Sequence, residues 1–220
     1  MDFEKARFNM VEQQVRPWNV LNPRVLEVIG EIPRENFAPE KYKNLAYVDT
    51  RIPLGNFENH PCDMANPVLD GRILQEMDIQ DNDLVLEIGT GSGYLTACMA
   101  KLGDHVDTVD INEEMTAIAK KNLQSLGINN VNFSTGDASK TWHQKRNYDV
   151  IVISAAMKEI PASYKNLLKV GGRMFVVTGA APAMTAHRVT RTAQDEWTVE
   201  DLFETSIEPM IETVKPIFEF

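Results

Sequence analysis

The chain has 220 residues, 43% of them apolar and 25% charged, and carries a formal net charge of −10 at pH 7. That length suits one generous α/β domain, and the composition is that of an ordinary globular protein. The acidic balance, with no run of Lys or Arg, excludes nucleic acid as an expected partner, because a phosphate backbone demands a basic face.

The first residues, MDFEKARFNMVEQQVRPW, hold no apolar signal core, and no window is long and apolar enough to span a bilayer. Cys62 and Cys98 lie far apart, which fits a reduced cytoplasmic protein with neither a disulfide framework nor a Cys-rich zinc site. Two helices are expected over about 5–16 and 23–31, then a Pro-rich passage through RIPLG, then a helix near 67–77. Together they form a cap (1–80) on a core (81–220) within a single domain.

From Leu84 onward short apolar runs alternate with helical patterns. LVLEI (84–88) reads as a buried strand, and SGYLTACMAKLG as a helix stopped at Gly103. HVDTVDI (105–111) is a second strand. Asn112 is an N-cap residue, and Met115, Ile118, Ala119 and Leu123 share one helix face. NVNFSTGD gives a third strand and YDVIVISAA (148–156) the most apolar one. A short helix over Pro161–Lys169, a turn at Gly171-Gly172 and the strand RMFVVTG follow. Strands separated by helices imply βαβ units and a mostly parallel sheet with helices on both faces. After Thr185, alternation around Ala193-Gln194-Asp195 predicts an antiparallel C-terminal hairpin at the sheet edge.

Ligands of such sheets sit at the C-terminal strand ends, which places one at LEIGTGSGYLT, Leu86 to Thr96. The dinucleotide fingerprint G-x-G-x-x-G fails because position 94 is Tyr, and the phosphate loop fails because no Lys follows the glycines. Glu87 beneath the loop would repel a pyrophosphate but attract the sulfonium and ammonium of S-adenosylmethionine. Asp110 ends the second strand about 20 residues on, where a carboxylate takes ribose hydroxyls. Asp137, in TGDA, ends the third strand, placed for an adenine amino group. A glycine turn or a strand-end acid is often merely structural; all three in order, each after its own strand, favour the cofactor. The expected contacts are Glu87, Gly89, Thr90, Gly91, Ser92, Gly93, Asp110, Ile111, Asp137 and Ala138; E-x-G-x-G-x-G after a strand resembles the class I methyltransferases, which implies their Rossmann-like core.

The chain resembles the protein-L-isoaspartate O-methyltransferases from about Val25 to Phe220. The resemblance rests on IPRENFAPEKYKNLAYVDTRIPLG, VLEIGTGSGY, GDA and YDVIVISAAMKEIPASYKNLLKVGGRMFVVTG; the PR-x-x-F-x-P passage followed by AY-x-D-x-x-x-PLG is the most specific part. It implies S-adenosylmethionine as cofactor and methylation of the abnormal α-carboxylate of isoaspartyl residues in damaged proteins or peptides. One segment departs. Where the family has G-x-G-Q-T-I-S-Q-P, this chain reads GNFENHPCDMANP, which is longer; Asp63-Met64-Ala65 replaces Thr-Ile-Ser and Asn66-Pro67 replaces Gln-Pro. The serine hydroxyl is therefore absent at Ala65, with Asp63 and Asn66 as loop candidates for its role. That departure keeps two alternatives open: a class I methyltransferase with a small-molecule acceptor, and a non-catalytic S-adenosylmethionine-binding protein.

A carboxylate acceptor is ionised at neutral pH and needs no base. For a hydroxyl or amine acceptor, Asp49, Asp63 and Asp70 are the candidate bases. Cys62 beside His60 lacks the clustered partners of a metal site or an activated nucleophile, so no metal is expected. His105, His143 and His187 read as surface or strand residues, and Trp18, Trp142 and Trp197 as packing residues.

Overall fold

Five parallel strands form the centre of the molecule: β3 (Leu84–Ile88), β4 (His105–Asp110), β5 (Val131–Thr135), β6 (Tyr148–Met157) and β7 (Leu168–Ala180). Two more, β8 (Ala183–Ala193) and β9 (Glu196–Thr205), continue the sheet antiparallel, in the order β5-β4-β3-β6-β7-β8-β9. These are the features of a computed structural model that describes residues 1–142 and 146–211; His143 lies outside the described residues. Val85, Leu86, Ile88 and Val150 to Ile153 are all buried, as expected of parallel strands covered on both faces.

The connecting helices are α4 (Tyr94–Leu102), α5 (Glu113–Ser125) and α6 (Ala162–Leu167). Asn112 caps α5 as expected, its side chain accepting from the Glu114 amide at 2.9 Å. Gly171, at φ +84°, does not end a turn between separate elements. It sits inside β7, where the pairing with β6 shifts register between Tyr148 and Val150. The antiparallel part is also larger than a hairpin, since β8 starts at Ala183 and pairs with β7 along its length before turning into β9.

At the N-terminus, α1 (Phe3–Met10) runs on through a π-helical turn (Val11–Val15) and a 3₁₀ turn (Arg16–Trp18). The change of winding precedes Pro17, which has no N–H and whose ring crowds the carbonyl four residues back. Trp18 follows this break and is 59% exposed, so it is not a packing residue; Trp142 and Trp197 do pack against a buried cluster beneath β6 and β7. The helices α2 (Pro23–Glu31) and α3 (Pro67–Met77) match their expected spans, each opening on a proline at its first turn. Residues of α1, α2 and α3 share one buried cluster with Val85, Val106, Val150 and Phe175 of the sheet.

The stretch between Gly55 and Pro67 is not a loop. It forms a hairpin, β1 (Ile52–Phe57) against β2 (His60–Met64), turning at Glu58 and Asn59 with φ of 48° and 67°. Two successive left-handed residues make the two-residue turn whose twist matches paired strands. Pro53 and Pro61 hid these strands from a reading by alternation; both are tolerated because the pair stands alone as an edge.

Candidate active site

The strand order reverses between β3 and β6: from β3 the chain runs outward to β4 and β5, then returns to the other side. Such a switch point opens a crevice at the carboxyl ends of the strands. The cavity found there is lined by Glu87, Gly89, Gly91, Asp110, Ile111 and Ala138 from the sheet, and by Met64 and Ala65 from the hairpin.

Glu87 is fully buried at its floor. One carboxyl oxygen accepts from the hydroxyls of Thr96 and Thr108, the latter at 2.6 Å; the other has no partner among the described residues. A buried polar atom left unmatched costs about 1–3 kcal/mol, and its usual explanation is a missing ligand group. Burial pushes the Glu87 carboxyl up to about 8, against the two hydroxyls that lower it and with Asp110 and Asp70 adding repulsion. Burial without a counter-charge disfavours the ionised carboxylate, and a bound cation would offset that cost. Sulfonium and ammonium meet that requirement; a phosphate does not.

Gly91 supplies the opening above this floor. Its φ is +52°, and a Cβ there would point toward Leu54, itself a cavity residue, at 3.6 Å. Gly89, at φ +98°, lies against Ser154 at the end of β6. Gly93 has a different job: a Cβ would stand 2.8 Å from Leu123 and 2.9 Å from Ala119, so its bareness admits α5, and it does not line the cavity. Thr90 turns its hydroxyl inward to Thr108 at 2.6 Å, and Ser92 lines the cavity while its carbonyl accepts from Asn122.

Asp110 accepts the Gly91 amide at 2.8 Å and the Asn112 amide at 2.9 Å, so it shapes the glycine loop as well as facing the cavity. Burial raises its pKa and those backbone amides oppose the rise. Asp137 is exposed, one oxygen accepting from the Ser139 amide; its neighbours Gly136 and Ala138 line the cavity and it does not.

On the opposite wall stand Cys62, Asp63, Met64 and Ala65. Burial pushes the Cys62 thiol up, which keeps it from being a thiolate nucleophile. Neither Asn66 nor Asp49 lines the cavity; the Asn66 side-chain amide donates to Asp49 at 2.6 Å. Asp70 lines the cavity from α3 but is buried against Arg34 at 2.5 Å. Among the described residues no group of His, Cys, Asp or Glu could hold a metal. His105 opens β4 beside Asp107 and His187 lies in β8, bridging Thr178 and Asp201 at 2.7 Å each across the strands.

Four features of the site are not signalled by sequence spacing. Arg34, fully buried, donates to Asp70 and to the Ala65 carbonyl and lies over the Tyr94 ring at 4.4 Å, while Phe37 meets that ring edge-on. The arginine and phenylalanine of PR-x-x-F therefore tie the Ala65 wall to the start of α4. Ser154 lines the cavity with a hydroxyl that has no partner among the described residues. The segment Ile207–Ile211 closes one side, held by backbone hydrogen bonds between Ala156 and both Glu208 and Met210 at 2.8 Å. Arg51 lies beside it.

An acid under a glycine turn, a second acid at the neighbouring strand end and the switch-point cavity define a class I S-adenosylmethionine-dependent methyltransferase. A sequence model of the protein-L-isoaspartate(D-aspartate) O-methyltransferases matches residues 6–215, and the chain belongs to this family. It is 34% identical over 201 residues to the protein-L-isoaspartate O-methyltransferase of Petrotoga mobilis, covering 91% of this chain and 92% of that one. The corresponding protein of Syntrophus aciditrophicus is also 34% identical, with 88% and 87% covered. A solved protein-L-isoaspartate O-methyltransferase superposes with a TM-score of 0.80 at 25% identity, over 94% of this chain and 65% of that longer one. A Plasmodium falciparum structure with S-adenosyl-L-homocysteine bound shares the fold, at a TM-score of 0.79 and 16% identity.

Proposed function

We propose that the protein methylates the free carboxylate of isoaspartyl residues in proteins and peptides, with Glu87, Gly89, Gly91, Asp110, Ile111 and Ala138 holding S-adenosylmethionine. The observation that carries this reading is the position of the Met64-Ala65 wall. By the sequence resemblance it stands where the family has Thr-Ile-Ser; it faces the glycine loop across one cavity, and Arg34 donates to the Ala65 carbonyl.

S-adenosylmethionine, when bound, supplies a methyl group on a positively charged sulfur. The residues of this chain align the acceptor with that methyl and keep water away. The acceptor's carboxylate oxygen gains the new bond to carbon as the methyl's bond to sulfur breaks, and no proton moves. That balance needs no base: Asp63 on the wall has no proton to take, Asp70 is held by Arg34, and Cys62 stays a thiol.

A second reading, a different carboxylate acceptor of small size, is favoured by Ala65 and by the hairpin that lengthens this wall. Transfer of labelled methyl to an isoaspartyl peptide, run beside a small-molecule cell extract, separates the two: label in the peptide supports the first, label only in the extract the second.

A further inference from the structure

Besides Glu87, which would meet the cofactor cation, and Asp70, which Arg34 holds, the cavity wall carries Asp63, Asp110 and Glu208. A carboxylate acceptor entering beside these acids meets repulsion unless a cation receives it. Among the described residues lining the cavity, Arg51 is the only Lys or Arg. Arg34 is fully buried behind the wall, already held by Asp70 and Ala65.

The position of Arg51 suits this task. Ile52 pairs with Met64 in the hairpin, so Arg51 and Ala65 are the next residues at the same end of the ladder. The guanidinium donates to Glu208 at 3.0 Å and to the Ser206 carbonyl. Both charged side chains are partly solvated, 36% exposed for Arg51 and 39% for Glu208. An ion pair of that kind contributes little and exchanges readily for another carboxylate, and the guanidinium fork accommodates two oxygens at once.

We infer that Arg51 is the acceptor-binding cation of this enzyme, exchanging Glu208 for the isoaspartyl carboxylate beside Ala65. The inference rests on the proposed carboxylate methylation. It assigns Arg51 to substrate capture, so the effect belongs in KM and in acceptor affinity, not in cofactor affinity.

The test compares the wild type with Arg51→Gln, Arg51→Lys and Glu208→Gln, each checked for an unchanged melting temperature. Steady-state kinetics on an isoaspartyl peptide is paired with calorimetric binding of that peptide in saturating S-adenosylhomocysteine, and with binding of S-adenosylhomocysteine alone. The expected result for Arg51→Gln is a KM and a peptide Kd raised on the order of 10–100-fold, the range for a hydrogen bond to a charged group, with S-adenosylhomocysteine affinity unchanged. Arg51→Lys recovers part of the loss, and Glu208→Gln, which frees the guanidinium, lowers KM. Should Arg51→Gln unfold, the other two variants carry the same test. Unmoved KM and peptide Kd overturn the inference and leave the proposed function standing. A parallel loss of S-adenosylhomocysteine affinity also overturns it, because Arg51 would then serve the cofactor's own carboxylate. A wild type that neither binds nor methylates the peptide overturns the inference and the proposed function together.

Discussion

Asp110 accepts the amide of Gly91 at 2.8 Å across the crevice between β4 and the glycine loop. The carboxylate expected to face a ribose is therefore also a structural member of the loop that faces the rest of the cofactor. Replacing Asp110 by Ala removes both contributions. The expected loss is at least about 1.5–3 kcal/mol of cofactor affinity, the range for a hydrogen bond to a charged group. Part of that loss comes from a disordered loop. Calorimetry with S-adenosylhomocysteine, beside hydrogen exchange of the Gly91 amide, checks it; unchanged affinity and unchanged protection would show an acid that merely meets solvent.

Glu87 gives the pH dependence of cofactor binding. Burial pushes its carboxyl up to about 8, which favours the protonated form in the empty protein near neutral pH. A cation bound against it favours the ionised form and lowers that value, so binding releases a proton below pH 8. Affinity is expected to rise with pH, by up to about tenfold per unit below 8, and to level above it. Glu87→Gln should flatten the curve. Calorimetric titrations in buffers of different ionisation heat count the released proton directly; a pH-independent Kd in the wild type would contradict the assignment.

Gly91 and Gly93 should fail in different ways. Gly91→Val puts a side chain toward Leu54 inside the cavity and should abolish S-adenosylhomocysteine binding. Gly93→Ala drives a methyl into Leu123 and Ala119 of α5, at a φ of +86°, and should lower the melting temperature first. The two effects are read by calorimetry and by thermal denaturation on the same pair of proteins. Equal loss of binding without loss of stability in both would place Gly93 in the cofactor site after all.

Arg34→Ala leaves Asp70 buried without its cation, a change worth about 3–5 kcal/mol. Burial already raises the Asp70 pKa, with Arg34 opposing it, so the variant's Asp70 should take up a proton on folding. Replacing Asp70 by Leu in the same chain should return much of the stability but not the hold on the Ala65 carbonyl. The double variant is expected to fold and bind S-adenosylhomocysteine while turning over an isoaspartyl peptide more slowly. Urea denaturation and turnover measured together test this; full activity in the double variant would mean that Arg34 stabilises the fold and nothing more.

The core of this site was legible because each of its parts is local. Buried parallel strands read as apolar runs, and Glu87 and Asp110 are each placed by the strand that carries them, whereas Asp137 stands outside the cavity. What was not legible is contact over distance. Arg34 and Asp70 lie 36 residues apart and Arg51 and Glu208 lie 157 apart, and no periodicity encodes such pairs. The β1–β2 hairpin escaped for a different reason, since its prolines and its Glu58-Asn59 turn imitate a loop. Gly93 looked like a ligand glycine because it stands in register with two others; only the packing of α5 reveals its use.

The most direct measurement is transfer of labelled methyl from S-adenosylmethionine to two peptides that differ only in carrying isoaspartate or aspartate at one position. The expected result is base-labile label in the isoaspartyl peptide alone, with Ala65→Ser raising kcat by roughly tenfold or more as the lost donor returns. Label absent from both peptides, in a protein that binds S-adenosylhomocysteine, or equal label in both, would contradict isoaspartyl methylation by this enzyme.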